Sequence, residues 1–254
     1  MCVCVCLCTT LRIFYLFLKF WFVHYQAPGY GVVHYANEML KDKGDTLEGK
    51  RCLILGSGKV ARSVADKLLQ FGAIPLTFSD ASGHVYEPDG ISQGQLRTIN
   101  SIKDERGALL GRYIISSTTA RFNDPQSIFD VPCDLCFPCG AMNAVDVPMA
   151  DRLADNGCQA VVEGGDATVT ARARKTLKKR GIAYGPSLLT MTGSAIAHHV
   201  GDLSDEQLAE HVSRIYKDVK STATEFNARG DLYTGANIQG FLRVANVMMT
   251  HGAV

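Results

Sequence analysis

The chain has 254 residues, of which 46% are apolar and 20% charged, a balance that excludes a disordered or fibrous polymer. Lysine plus arginine (26) nearly equals aspartate plus glutamate (25), so the net charge is +1 and gives no reason to expect a nucleic-acid partner. The length suits one large domain, or one domain with additions.

Residues 1–25 differ from everything that follows. They contain no Asp, Glu, Gly or Pro, they hold Cys2, Cys4, Cys6 and Cys8, and they include the lone tryptophan, Trp21. Three readings compete. A membrane anchor would have to bury Arg12 and Lys19, at roughly 2.5–3.5 kcal/mol each. A secretory signal would need a basic start and a small-residue cleavage site, and neither is present. The reading favoured over both is an extension foreign to the domain, covering residues 1–28. The other cysteines (Cys52, Cys133, Cys136, Cys139 and Cys158) are sparse and odd in number, which suggests free thiols in a reducing, cytoplasmic setting.

From Tyr30 onward the pattern alternates. Tyr30 to Lys43 has helical periodicity, with Val33, Ala36 and Leu40 on one face and Gly44 as its stop. Arg51 to Leu55 reads as a buried strand, Lys59 to Phe71 as a helix and Ala73 to Phe78 as a second strand. Further strands are expected at Cys133 to Phe137, Gln159 to Val162 and Ile182 to Tyr184, with helices at Val147 to Asn156 and Val169 to Arg180. Ser204 with Gln207 has the form of a capping box, opening a helix that runs to about Asn227, and Ile238 to Thr250 is a last helix. Strands separated by helices imply an α/β, Rossmann-like, doubly wound and mostly parallel sheet, with helices on both faces and long helices at the C-terminal end.

The first chemical signal is Gly56-Ser57-Gly58-Lys59-Val60-Ala61, a G-x-G-x-x-A run between a predicted strand and a predicted helix. The first glycine permits the tight turn, the second leaves room for a pyrophosphate, and the small Ala61 lets helix and strand pack closely. The helix start offers N–H groups and partial positive charge to the phosphates. Asp80 lies 24 residues after Gly56, at the end of the next predicted strand, where an acid meets a ribose hydroxyl. Taken alone, Asp80 also fits a plain turn residue. Together with the glycine run it makes residues 29–254 a candidate dinucleotide-binding domain.

Six segments in order carry a more specific resemblance: Gly29-Tyr-Gly31, Gly56 to Ala61, Ser79-Asp-Ala-Ser-Gly83, Pro138-Cys-Gly-Ala-Met-Asn143, Glu163-Gly164 and Gly235-Ala-Asn-Ile-Gln-Gly-Phe241. In order and rough spacing they resemble glutamate dehydrogenases, nearest to the hexameric NADP-specific form. The resemblance implies a cofactor domain of an enzyme that oxidises glutamate to 2-oxoglutarate and ammonia, or runs the reverse. It places the pyrophosphate at Gly56 to Ala61, the adenosine ribose at Asp80 and the nicotinamide ribose beside Asn143. Lys103 falls where NADP forms carry a lysine near the 2′-phosphate, so NADP is expected over NAD, although a solvated helix lysine fits Lys103 about equally well. A homo-oligomer, or assembly with a fuller chain, follows from the same resemblance.

The departures are specific. Pro28 stands where the family has a threonine, Ala81 replaces a serine that meets the 2′-phosphate, and Asp166 replaces an asparagine near the nicotinamide. Met191 falls on an amide that borders substrate, and His198 aligns with a serine that meets the substrate carboxylate. No residue before Gly29 matches the motif that supplies the family's catalytic lysine and aspartate, so no catalytic residue is assigned. The expectation is a chain without the substrate domain, alternatively a non-catalytic or regulatory remnant within a hexamer.

Three other groupings have plainer explanations. Cys133-x-x-Cys136-x-x-Cys139 lacks a fourth close cysteine, and strand alternation would point Cys133 and Cys136 apart. The basic run Ala171 to Arg180 reads as a solvated helix whose last-turn cations offset its dipole. His198 and His199 are adjacent, not spaced to bind one metal from a helix face.

Overall fold

The computed structural model describes residues 26–201 and 203–252. The anchor, signal and extension readings of residues 1–25 fall outside them. Helix α1 covers residues 26–41. It is followed by β1 (Arg51–Leu55), α2 (Lys59–Gln70), β2 (Ile74–Pro75), β3 (Thr77–Asp80), β4 (Gly83–Tyr86) and α3 (Gln93–Asp104). After two short 3-10 segments around β5 (Arg121–Asn123) come β6 (Leu135–Pro138), α4 (Val147–Asp155), β7 (Ala160–Val162), α5 (Ala171–Lys179) and β8 (Ala183–Gly185). The chain closes with α6 (Ser187–Thr190), α7 (Thr192–Val200), α8 (Asp205–Glu225) and α9 (Leu232–His251).

The main sheet has the order β2-β1-β6-β7-β8, with every pairing parallel. Parallel strands need both faces covered, because each strand presents alternate side chains to opposite sides. The two cores follow that alternation. Cys52 and Ile54 of β1, Leu135 and Phe137 of β6, and Ala160 and Val162 of β7 join one cluster with α1, α2 and α8. Leu53 and Leu55, Cys136 and Val161 join the other, under α4 and α5. This is the expected doubly wound arrangement.

The second predicted strand, by contrast, divides. Pro75 has no N–H, so β2 stops after two residues and the chain continues as β3. β3 pairs antiparallel with β4, and β4 with β5, in a separate three-stranded sheet. Hydroxyl side chains hold β3 against β1. Thr77 Oγ1 accepts the Ile54 N–H at 3.0 Å and donates to the Ile54 carbonyl at 3.1 Å.

Helix starts mostly carry side-chain caps. Ser92 and Ser204 form capping boxes with Gln95 and Gln207, while Asp146, Thr170 and Asp231 cap α4, α5 and α9. The last helix begins at Leu232, six residues before its predicted start. Gly235 sits inside it, where a Cβ would lie 2.8 Å from the Ala223 Cβ of α8, so close helix crossing explains this glycine. No helix among the described residues is long and apolar enough to cross a membrane.

Candidate functional site

The order β2-β1-β6 places the topological switch between β1 and β6, the point at whose carboxyl strand ends open α/β sheets bind their ligands. Gly56 to Ala61 follows β1 there, and Cys139 to Asn143 follows β6. Gly56 has φ +101°, and a Cβ there would stand 2.9 Å from the Cys139 carbonyl oxygen, so glycine is required by the fold itself. Its N–H donates to Ser79 Oγ at 2.8 Å, and the Ser79 N–H donates to its carbonyl at 3.1 Å. The turn is thereby anchored before any ligand arrives.

Gly58 differs. Its φ of −71° and ψ of −176° suit any residue, and a Cβ there meets nothing within 4 Å. It is exposed, caps α2, and supplies no side-chain acceptor to the first turn of that helix. No packing need in the described chain explains glycine here. The open space beside it would admit a close approach of a ligand to the backbone. Ala61 is fully buried in the core, as expected of the third small position. Ser57 is buried, Lys59 exposed and Val60 intermediate. Gly29 of α1 presses on this same turn, since a Cβ there would lie 2.5 Å from the Ser63 Cβ and 2.8 Å from the Val60 carbonyl.

Asp80 and Lys103 come together. Lys103 Nζ donates to Asp80 Oδ2 at 3.1 Å and to the Ala108 carbonyl at 3.0 Å, leaving one ammonium hydrogen. Asp80 Oδ2 also accepts the Leu110 N–H at 2.7 Å, and Oδ1 accepts both the N–H and the hydroxyl of Ser82. Burial alone would raise the carboxyl pKa; the bonds from Ser82, Leu110 and Lys103 outweigh it and hold the group below the usual carboxylate range. Ser82 was not singled out in the sequence, although its place two residues after an acid in a turn is the signal for such a bond.

Beyond β6, Asn143 is exposed with φ +57°, held by its N–H bond to the Ala167 carbonyl at 2.9 Å. Glu163 is almost fully buried. Its Oε1 accepts from Thr168 Oγ1 and the Val169 N–H, and its Oε2 from the Tyr184 hydroxyl and the Ser187 N–H. It ties β7, β8 and α6 together, a role its sequence motif alone does not disclose. Asp166 and His198 are exposed, and Met191 sits at the α6–α7 junction. None of the three has a side-chain hydrogen bond among the described residues.

The alternation argument for the cysteines needs correction. Strand β6 begins at Leu135, so Cys133 precedes it, and Cys133 packs with Cys136 and Cys158 in one core. The hydrogen bond that the Cys133 thiol shares with Cys158 as donor, together with burial, pushes that thiol up. Among the described residues no set of three or more His, Cys, Asp or Glu side chains is arranged to hold a metal.

A family model described as Glutamate/Leucine/Phenylalanine/Valine dehydrogenase matches residues 22–252. The NADP-specific glutamate dehydrogenase of Chlorella sorokiniana is 35% identical over 243 residues, covering 90% of this chain and 46% of that protein. The enzyme of the same description from Helicobacter pylori strain J99 is 35% identical over 246 residues, covering 89% and 54%. The solved structure of Plasmodium falciparum glutamate dehydrogenase 2 superposes with a TM-score of 0.86 at 33% identity, covering 91% of this chain and 54% of that one. The chain thus spans about half the length of the relatives it matches.

Proposed function

The chain belongs to the glutamate/leucine/phenylalanine/valine dehydrogenase family, and from that premise we propose that residues 29–254 are the cofactor-binding part of an NADP-dependent glutamate dehydrogenase. The reaction is oxidation of glutamate to 2-oxoglutarate and ammonia, or its reverse. The observation that carries the reading is Gly58, a glycine that packing does not need, at the mouth of a helix and beside the strand-order switch. The N-terminal turn of α2 would hold the pyrophosphate, with Gly56 setting the turn. Asp80 and Lys103 mark the adenosine end, where the remaining Lys103 ammonium hydrogen would face a 2′-phosphate. Asn143 would lie beside the nicotinamide ribose. The bound nicotinamide would supply the hydride acceptor.

Names of the relatives support NADP rather than NAD, and glutamate as substrate. A hexameric or other homo-oligomeric assembly, or assembly with a fuller chain, belongs to the same reading, as does a reducing, cytoplasmic setting suited to its free described thiols. A second reading, a non-catalytic dinucleotide-binding subunit, is favoured by Asp166, Met191 and Ala81, each departing from the family pattern. Hydride transfer requires substrate fixed against the ring. The two readings therefore separate in one experiment: NADPH affinity by calorimetry alongside glutamate-dependent NADP reduction by the chain supplied with the substrate-binding part of a relative. Saturable binding with turnover supports the enzyme, binding without turnover supports the subunit, and absence of binding refutes both.

A further inference from the structure

A cavity of about 590 Å³ lies at the β8 edge of the sheet, bounded by α5, β8, the start of α9 and Lys43 beyond the end of α1. None of its walls comes from the Gly56–Ala61 loop. Its size falls in the range of small-molecule sites, roughly 300–1,000 Å³. Its charge is one-sided: Lys43, Arg174, Lys175 and Lys178 face a lone carboxylate, Asp231.

That carboxylate is already spent. Asp231 Oδ2 pairs with Lys178 Nζ at 2.9 Å, and its Oδ1 caps α9 by accepting the Thr234 N–H at 3.0 Å. Lys43 and Lys175 have no ion pair among the described residues. The Arg174 guanidinium stands 3.8 Å over the centroid of the Tyr233 ring, a cation–π contact that sets a planar cation and an aromatic ring together in the cavity lining. Ile182 and Leu232 add apolar wall. Tyr184 is pinned by its hydroxyl bond to Glu163 Oε2 at 2.7 Å and presents an ordered aromatic side chain there.

An apolar cavity with aromatic walls, a planar cation and surplus positive charge suits one ligand chemistry. We propose that it is a second binding site for a planar aromatic anion, its ring against the Arg174–Tyr233 pair and its anionic group toward Lys43 and Lys175. Both an aromatic carboxylate and a nucleoside monophosphate have that chemistry.

The test is calorimetric titration of the full chain with 2-naphthoate and with adenosine 5′-monophosphate, in excess NADPH so that the dinucleotide loop is not the site read. The expected result is one-site saturation by at least one probe. Binding by 2-naphthoate alone assigns the carboxylate class, and binding by the nucleotide alone the other. Arg174→Glu and Tyr233→Ala should each weaken binding by about tenfold or more, the loss expected for a desolvated cation–π and ion contact. Lys175→Glu, at an exposed and unpaired position, supplies a variant that folds without question of packing. Gly58→Ala should leave probe binding unchanged, so failure of the dinucleotide reading and failure of this one are distinguishable. No saturable heat from either probe, or heats indifferent to all three pocket variants, would overturn the assignment.

Discussion

Gly58→Ala isolates the ligand's claim on the loop from the fold's. Gly58 already has backbone angles that alanine adopts, and its missing Cβ would touch nothing. Alanine is a poorer helix cap than glycine by roughly 0.5 kcal/mol. It also restricts the unfolded chain, which stabilises by about 0.4–1 kcal/mol. The two nearly cancel, so the melting temperature should move by no more than about 2 °C in a domain of this size. Binding should respond differently. A methyl group at the N-cap displaces the phosphate from at least one N–H, and a hydrogen bond to a charged group contributes about 1.5–3 kcal/mol. NADPH affinity should then fall roughly 10- to 150-fold. Gly56→Ala is the contrast: φ +101° and the Cys139 carbonyl at 2.9 Å make it a folding defect of about 2–4 kcal/mol, with a lower melting temperature. Paired calorimetry and thermal melts on both variants decide the matter. If Gly58→Ala binds NADPH within twofold of the parent chain, the assignment of this loop to a pyrophosphate is wrong.

Lys103→Ala should weaken NADPH by about tenfold, the loss of one charge-assisted bond, while NADH changes little; equal loss for both nucleotides would remove Lys103 from the 2′-phosphate. Asp80 should make stability acid-sensitive: its folded pKa lies below the unfolded value of about 3.9, so its contribution is complete above that pH and is lost as pH falls through the lower folded value. Urea midpoints of the parent and Asp80→Asn should therefore differ by a constant gap near neutrality that narrows as pH falls below about 4, and a gap that widens on acidification would contradict the sign. Glu163→Gln places an amide donor against two of four donors, and should cost about 2–4 kcal/mol in a denaturation series; a cost under about 0.5 kcal/mol would show the carboxylate is not the tie between β7, β8 and α6.

The parallel sheet was readable because its evidence is periodic. Cys52 to Leu55 must feed two cores, so every position is apolar, and the flanking glycines mark where each strand turns into a helix. The β3-β4-β5 excursion was not readable for the converse reason. Its strands have three or four residues each, too few for a period, and Thr77 and Ser79 replace ladder bonds with side-chain bonds that no alternation rule reports. The start of α9 was missed because Gly235 reads as a helix breaker until its neighbour on α8 is seen.

At the candidate site, residue type suggested a chemistry but not which partner each residue serves. Gly56 and Gly58 look alike in the motif, yet one answers to the Cys139 carbonyl and the other to open space. Asp80 reads as an acceptor waiting for a ribose, whereas Lys103, Leu110 and Ser82 already fill both its oxygens. A ribose hydroxyl can join only by taking the place of one of these. Ser82 is the donor that gives way most easily, being exposed and two residues distant in a turn, while Leu110 is fully buried and Lys103 is also held by the Ala108 carbonyl. Ser82→Ala should therefore leave NADPH binding intact or strengthen it, as calorimetry would read directly, whereas a loss beyond about threefold would mean that the serine, not the acid, is the ribose contact.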